Sequence, residues 1–252
     1  MFALEPGRLG PRLQQLGMRL PDLAAIVVVS PHWQTHGVRV TGAAMPATLH
    51  DFGGFPAPLY ALQYPARGDA AIARDIVDLL RAAGFDAGVD PARGLDHGTW
   101  VPLRYLRPAA DIPVLQVSLP HDIETAGALR LGRALSPLRD RRILVIGSGS
   151  LTHNLHEFRQ HVEDPDYAQA FADWIGDAVA RGDTDALLDY RARAPFARRA
   201  HPTQEHYLPL LVAVGASAGD ASRQRLDGGM TDGVLSMDSF VFGLAPAEPR
   251  PG

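Results

Sequence analysis

Apolar runs rich in β-branched residues alternate along the chain with segments of helical periodicity. Strands are predicted over residues 24–30, 38–41, 112–119, 142–146 and 235–242. Helices are predicted over residues 126–135 and 167–181, and over a segment that Asp69 caps and Gly84 ends. This alternation is typical of an α/β domain, in which helices flank a central mixed, mostly parallel sheet.

The length and the carboxyl-terminal composition bound the domain organisation. The chain has 252 residues and no visible linker, which predicts one domain over residues 1–244. Residues 245–252 contain three prolines and predict a flexible tail.

Charge and hydropathy narrow the classes of partner. The formal net charge is −4 and there is no block of Lys and Arg, which argues against nucleic acid and anionic membranes. No apolar run reaches the roughly 20 residues of a membrane span, and the first residues do not resemble a signal peptide. We therefore expect a cytoplasmic protein that acts on a small molecule, and the sequence leaves a homo-oligomer open.

Three histidines lie at the ends of predicted elements. His32 follows the strand at 24–30, His153 follows the strand at 142–146, and His206 lies where an apolar helix-like segment opens. A single histidine is more often structural than a ligand, but ligands collect beyond the carboxyl ends of parallel strands. The chain has no cysteine, so a metal there must be held by imidazole, carboxylate and water, which suits Fe(II), Mn or Zn.

A long loop over residues 42–68 carries His50 and Asp51 together with aromatic side chains and glycines. Loops of this length in a compact domain are usually functional, so we expect it to form a pocket wall. His97 lies in a similar setting, next to an acid and a glycine. The turn at residues 147–150 matches neither the Gly-x-Ser-x-Gly elbow of hydrolases nor a P-loop, and zinc-protease spacing is absent.

Five segments together resemble a known family. They are residues 27–33 (Val-Val-Val-Ser-Pro-His-Trp), 49–56 (Leu-His-Asp-Phe-Gly-Gly-Phe-Pro), 96–100 (Asp-His-Gly-Thr-Trp), 152–155 (Thr-His-Asn-Leu) and 202–210 (Pro-Thr-Gln-Glu-His-Tyr-Leu-Pro-Leu). In this order they resemble the DODA-type, or 4,5-DOPA dioxygenase-like, branch of the class III extradiol ring-cleavage dioxygenases. The resemblance implies an α/β fold with one divalent metal, Fe(II) or Zn(II). It also implies that O2 opens the ring of a small aromatic diol of the catechol type.

The resemblance also implies roles for individual residues. His32 and His206 match metal-ligand histidines of the family. His153 matches its acid–base catalyst, and lies close enough to the metal to join the ligands in zinc-bound relatives. His97 matches a pocket histidine that we expect to be catalytic as well. The expected substrate-binding residues are His50, Asp51 and Trp33.

The amino-terminal segment departs from the family pattern. Members begin with a strand that leads to a His-Gly-Ser-Pro-Met motif, whose histidine is a further metal ligand. Residues 1–5 align with the methionine of that motif and with the positions directly after it, so we expect the first strand and its ligand to be missing. A start codon assigned at an internal methionine explains this best, and a truncated paralogue is the alternative. In both cases we expect weak metal binding and reduced stability, because neighbouring strands are left exposed.

Two other classes of function stay open at this point. A site of three or four histidines also suits a zinc enzyme that acts on another small molecule. A non-catalytic scaffold, which keeps the fold with an incomplete metal site, is the other alternative.

Overall fold

A computed structural model describes residues 2–20, 22–158 and 166–245. Its strands are β1 (Ala25–Thr35), β2 (Val38–Thr41), β3 (Ala87–Asp90), β4 (Val114–Pro120), β5 (Ile143–Gly147), β6 (Arg223–Leu226), β7 (Met230–Thr231), β8 (Leu235–Ser236) and β9 (Ser239–Phe242). Its helices are α1 (Leu9–Arg19), α2 (Ala57–Tyr60), α3 (Ala70–Ala82), α4 (His97–Leu106), α5 (Thr125–Leu135), α6 (Asp166–Arg181), α7 (Thr184–Leu188), α8 (Tyr190–Arg193), α9 (Ala197–Ala200) and α10 (Leu208–Ala216). A 3-10 helix (Ser136–Arg141) connects α5 to β5. Most of the expected tail, residues 246–252, lies outside the described part of the chain.

Five strands form the central sheet in the order β3-β2-β4-β1-β5. Its pairs are parallel except β2 with β4, which is antiparallel, so the predicted mixed and mostly parallel sheet is confirmed. Alternate residues of β1 face opposite layers. Val27 and Val29 belong to the core that includes α3, α5, α6 and α10, whereas Ile26 and Val28 belong to the core with α1 and α4. The sheet is therefore covered on both faces.

The predicted helix after residue 69 is confirmed together with both of its end signals. The Asp69 carboxylate accepts hydrogen bonds from the backbone N–H groups of Ala71 and Ile72, which α3 leaves without intrahelical partners. Gly84 follows the helix at φ +83°, a conformation that glycine adopts without steric cost. No helix within the described residues has both the length and the apolar composition to cross a membrane.

Two predicted strand boundaries are wrong. The strand predicted to end at Ser30 continues to Thr35, although its pairing with β4 is interrupted between Val29 and Gln34. The strand predicted over 235–242 is two short strands, β8 and β9, which pair with different partners. Asp238 interrupts it, because its carboxylate accepts hydrogen bonds from the backbone of Gly228 and the guanidinium of Arg225.

Among the residues that the structure describes, β5 is the last strand at one edge of the sheet. Within the described residues β5 pairs only with β1, while helices cover both of its faces. A cavity of about 660 Å³ runs along this edge, and its walls come mainly from α1, α4, α10, β5 and β9. We call this cavity the β5 slot. Its lining is largely apolar, as Leu13, Ile146, Leu210 and Phe240 illustrate.

Candidate active site

Four histidines from four segments of the chain meet at one end of the β5 slot. The ring centroids of His32 and His97 are 4.0 Å apart, and those of His32 and His206 are 5.1 Å apart. His153 stacks on His206 with a centroid distance of 3.4 Å. The convergence predicted from the strand ends is thus present in the structure, and it brings in His97 as a fourth member.

The acidic loop residue Asp51 contacts His97. One Asp51 carboxylate oxygen accepts a hydrogen bond of 2.9 Å from the His97 backbone N–H, and His97 Nδ1 lies 3.0 Å from the same oxygen. Burial raises the pKa of Asp51, but the contacts with His97 outweigh this and lower it to about 2. Asp51 is therefore a carboxylate at neutral pH, and it orients the His97 ring.

His153 and His206 are held mainly by backbone contacts. The His153 N–H donates to the carbonyl of Ala200 (2.8 Å), and the Ser150 N–H donates to the carbonyl of His206 (3.2 Å). Gly149 makes this approach possible, because a Cβ at that position would collide with the His206 carbonyl oxygen. The Gly-Ser-Gly-Ser turn therefore packs directly against the segment that carries His206.

Glu205 gives His206 a defined ring orientation. Its Oε1 lies 3.1 Å from His206 Nδ1 and accepts a 2.8 Å hydrogen bond from the hydroxyl of Thr203. The contact with His206 is the main reason that the pKa of Glu205 is lowered to about 2. With Nδ1 facing a carboxylate, Nε2 of His206 is the nitrogen left for another partner.

The imidazoles of His32 and His153 are uncharged at neutral pH. Burial, followed by the proximity of His97 and His206, lowers the pKa of His32 to about 3. Burial and the neighbouring His206 lower the pKa of His153 to about 4. Neutral imidazoles carry the lone pairs that a metal ligand or a general base needs.

These donors fit a divalent metal. Nε2 of His206 is buried and has no hydrogen-bond partner among the described residues, as is also the case for Nδ1 of His97 and of His201, so it is available as a ligand atom. Two sets of residues each bring their potential ligand atoms within 4.8 Å of one another. They are the set His32, Asp51 and His97 and the set His153, Glu205 and His206. Nitrogen and oxygen donors of this kind suit iron and zinc.

Two of the expected substrate-binding residues lie beside the cluster. Trp33 is buried, with the guanidinium of Arg93 over its ring at 5.4 Å. His50 packs edge-on against Trp100, and its Nε2 is 3.0 Å from the carbonyl oxygen of Leu62. Neither is among the residues that line the β5 slot.

Sequence reasoning missed one histidine that supports the site. His201 is fully buried, and its Nε2 lies 2.8 Å from the carbonyl oxygen of Leu151, two residues before His153. The only sequence signal was its position at the start of the segment that carries His206. The buried side chain of Gln116 was missed as well, because it lies on β4 among mostly apolar residues.

Comparison with known proteins agrees with this geometry. Residues 9–233 match the family of the catalytic LigB subunit of aromatic ring-opening dioxygenase. A 4,5-DOPA dioxygenase extradiol from Beta vulgaris is 39% identical over 220 residues, which are 86% of this chain and 82% of that protein. A protein with the same description from Escherichia coli is 39% identical over 240 residues, covering 91% and 86% of the two chains.

A solved structure gives the same result for the fold. The crystal structure of an uncharacterized protein from Escherichia coli K12 superimposes with a TM-score of 0.77 and 34% identity, over 93% of this chain and 92% of that one. The order of the motifs, the fold and the family match therefore agree. The chain belongs to the LigB family of aromatic ring-opening dioxygenases, and within it to the DODA-type branch of the class III extradiol enzymes.

Proposed function

We propose that this dioxygenase opens a catechol-type ring with O2 at a divalent metal, Fe(II) or Zn(II), bound in the histidine cluster. The observation that carries the proposal is the convergence of His32, His97, His153 and His206 at the inner end of the β5 slot. The names of the relatives support a small aromatic diol as the substrate class. A cytoplasmic location and a homo-oligomeric state stay predictions.

His32 and His206 are the proposed metal-holding residues, and His153 joins them only in the zinc-bound form, where its nitrogen is not free to act as a base. The support for His206 is its buried Nε2, and the support for His32 and His153 is that both rings are neutral. A divalent metal supplies Lewis-acid stabilisation to an ionised diol and, as iron, redox chemistry with O2. Glu205 fixes the His206 ring through Nδ1, as carboxylates commonly do for metal-ligating histidines.

His153 is the proposed acid–base group. Its low pKa leaves an unprotonated imidazole nitrogen that can accept the proton of a diol hydroxyl. The stacked His206 ring restricts where the His153 ring can turn, which keeps that nitrogen at the end of the slot. His153 then returns the proton to an oxygen of the opened product.

His97 is the proposed second catalytic histidine, and Asp51 is proposed to act on the substrate through it. Because Nδ1 of His97 faces the Asp51 carboxylate, Nε2 is the nitrogen left to hydrogen-bond the substrate. His50 and Trp33 stay predicted substrate-binding residues. His50 packs against Trp100, and the guanidinium of Arg93 lies over the Trp33 ring.

We further propose that the complete site includes a strand in the β5 slot. An open strand edge with helices on both faces has unpaired backbone N–H and C=O groups in an apolar setting, which an added strand would pair. This supports the expectation of a further strand that carries another ligand. Zn²⁺ titration of this chain and of a version extended upstream by the in-frame codons tests it, because equal affinity contradicts the proposal.

Replacement of His153 by Ala in the upstream-extended protein tests the acid–base assignment. We expect turnover of a catechol to fall at least about 100-fold, while metal content measured by elemental analysis falls much less. His121→Ala, at an exposed position, is the control for the loss of a histidine. An unchanged rate in the His153 variant would sink the assignment, and zinc content without O2 consumption would favour a zinc enzyme of another kind.

A further inference from the structure

A group of buried polar side chains lies behind His32 and His97. Ser30, Asp96, Thr99 and Gln116 are 0% exposed, and Thr41 is 3% exposed. Polar groups in such a position destabilise a fold unless they are hydrogen-bonded, and a carboxyl group does so most strongly. The contacts within this group show what the burial achieves.

Asp96 is the central member of the group, because it holds the first turn of α4. Its Oδ1 accepts hydrogen bonds from the backbone N–H (3.1 Å) and the hydroxyl (3.4 Å) of Thr99. This caps the helix whose first residue is His97. The position of the His97 ring therefore depends on where Asp96 is held.

Gln116 on β4 holds Asp96 at two points. Its Nε2 donates a short hydrogen bond to Oδ2 of Asp96, and its Oε1 accepts one of 3.2 Å from the Asp96 backbone N–H. The Gln116 backbone N–H in turn donates to the hydroxyl oxygen of Thr41 on β2 at 2.8 Å. Asp96 is thus fixed to the middle of the sheet.

The partners of Asp96 also hold the backbone of His32. The His32 N–H donates to the hydroxyl oxygen of Ser30 (3.3 Å), and the same hydroxyl acts to lower the pKa of Asp96 against the effect of burial. The His32 carbonyl accepts from Nη2 of Arg93 (3.3 Å), and this nitrogen lies 3.8 Å from Oδ2 of Asp96. These contacts matter because β1 leaves its ladder with β4 between Val29 and Gln34.

Close packing between β1 and the first turn of α4 keeps His32 and His97 near each other. A Cβ on Gly98 would collide with the Ser30 hydroxyl and would lie 3.2 Å from Cδ2 of His32. The Gly98 carbonyl accepts a 2.5 Å hydrogen bond from the hydroxyl of Ser148. The first turn of α4 is therefore packed against His32 and bonded to the turn after β5.

We propose that Asp96 is the positioning residue that fixes the spacing between His32 and His97. It does so through the cap of α4 on one side and through Ser30 and Arg93 on the other. The inference deepens the proposed function, since those two histidines belong to the proposed site. It concerns the arrangement of the metal-free protein, so it can be tested whatever the reaction is.

The test compares three variants of the metal-free chain by NMR of the imidazole groups. Asp96→Asn keeps the size of the side chain but sets a donor against Nε2 of Gln116. We expect the resonances of both His32 and His97 to shift. Ser30→Ala removes the hydroxyl that accepts from the His32 backbone and leaves the cap of α4 intact, so the His32 resonances should shift more than those of His97. Asp69→Asn, in the cap of α3, is the control for a change of capping residue and should move neither.

Zn²⁺ titration gives a second measurement. We expect Asp96→Asn to weaken Zn²⁺ binding by about 10-fold, the usual scale for residues that orient ligands. The double variant Asp96→Asn with Gln116→Glu places an acceptor opposite the new amide donor. It should recover most of the affinity and move the histidine resonances back.

Specific outcomes would overturn the inference. If Asp96→Asn leaves both imidazoles and the Zn²⁺ affinity as in Asp69→Asn, Asp96 does not position them. If Asp96→Asn does not fold, Ser30→Ala decides, because an unmoved His32 resonance contradicts the proposed link. Failure of the upstream-extended protein to oxidise any catechol would count against the proposed function and leave these results intact.

Discussion

The pair His32 and His97 and the pair His153 and His206 are built in different ways. The first pair lies in a strand and at the start of a helix, and buried side chains around Asp96 tie the two elements together. The second pair lies outside the regular elements, where backbone hydrogen bonds join the turn after β5 to the segment before α10. One half of the site is therefore held by side chains and the other by the close approach of two backbones.

The two halves are vulnerable to different kinds of substitution. A side-chain network can be altered one hydrogen bond at a time, because the strand and the helix keep their own backbone bonds. Where two backbones are in direct contact, an added Cβ must displace one of them, so a single substitution there has a large effect. Substitutions at the glycines of the turn should therefore have larger effects than substitutions within the second pair's side-chain contacts.

Gly149→Ala should produce the largest effect. The new Cβ would collide with the His206 carbonyl oxygen and would come within 3.3 Å of the Pro209 ring. We expect a loss of about 1–3 kcal/mol in the free energy of unfolding, together with weaker Zn²⁺ binding because His206 must move. Urea unfolding and Zn²⁺ titration measure the two effects.

Gly53→Ala is the matched control for that substitution. Gly53 lies in the loop before α2, and a Cβ there would have no heavy atom within 4 Å. Its stability and Zn²⁺ affinity should equal those of the unchanged chain. If Gly149→Ala and Gly53→Ala have the same stability and Zn²⁺ affinity, the positions of His153 and His206 do not depend on the contact between the two backbones.

The parts of this site that the sequence could predict are those set by local pattern. The apolar runs before His32 and His153 are visible in the sequence and form β1 and β5. The carboxyl ends of parallel strands meet at one edge of a sheet. The network behind them was not predictable, because Gln116 lies within an apolar strand and its partner Asp96 is twenty residues away. Nothing local specifies which polar residue of a buried strand will face which helix cap.

The two wrong strand boundaries have a related cause, since contacts that the local sequence does not specify decide where each strand ends. The strand was predicted to end before Pro31, which lacks the N–H that a ladder needs, yet β1 continues to Thr35 with its pairing to β4 interrupted between Val29 and Gln34. Gly98 allows α4 to approach there, and the Ser30 hydroxyl accepts a hydrogen bond from the His32 backbone. Tertiary contacts of this kind override local propensity.

His201 offers a test of the second pair that depends on pH. Burial lowers the pKa of His201 to about 3, against 6.5 in the unfolded chain. Below pH 6.5 the unfolded chain therefore binds a proton that the folded protein does not, so stability falls as the pH falls towards 3. Replacement by Phe removes this term and should flatten the decline by up to about 1.4 kcal/mol per pH unit.

Urea unfolding of both proteins between pH 7.5 and pH 4.5 measures this difference. His201→Phe should be the less stable variant at pH 7.5, because the hydrogen bond to the Leu151 carbonyl is lost. The gap to the unchanged chain should narrow as the pH is lowered. Parallel curves for the two proteins would show that His201 is not held neutral by the fold.

Glu205→Gln should have the smallest effect, because it alters a side-chain contact and leaves the backbone approach intact. The charged partner of His206 Nδ1 is lost, and we expect a cost of about 1 kcal/mol near pH 7. The folded pKa of Glu205 is lowered to about 2, against 4.5 in the unfolded chain, so its contribution is present above pH 4.5 and is lost as the pH falls towards 2. The gap between the two proteins should therefore close over that range in urea unfolding. Glu124→Gln is the control, since that glutamate precedes α5 without capping it. A larger loss for Glu205→Gln than for Gly149→Ala would reverse the comparison, and the second pair would then be held by its side chains.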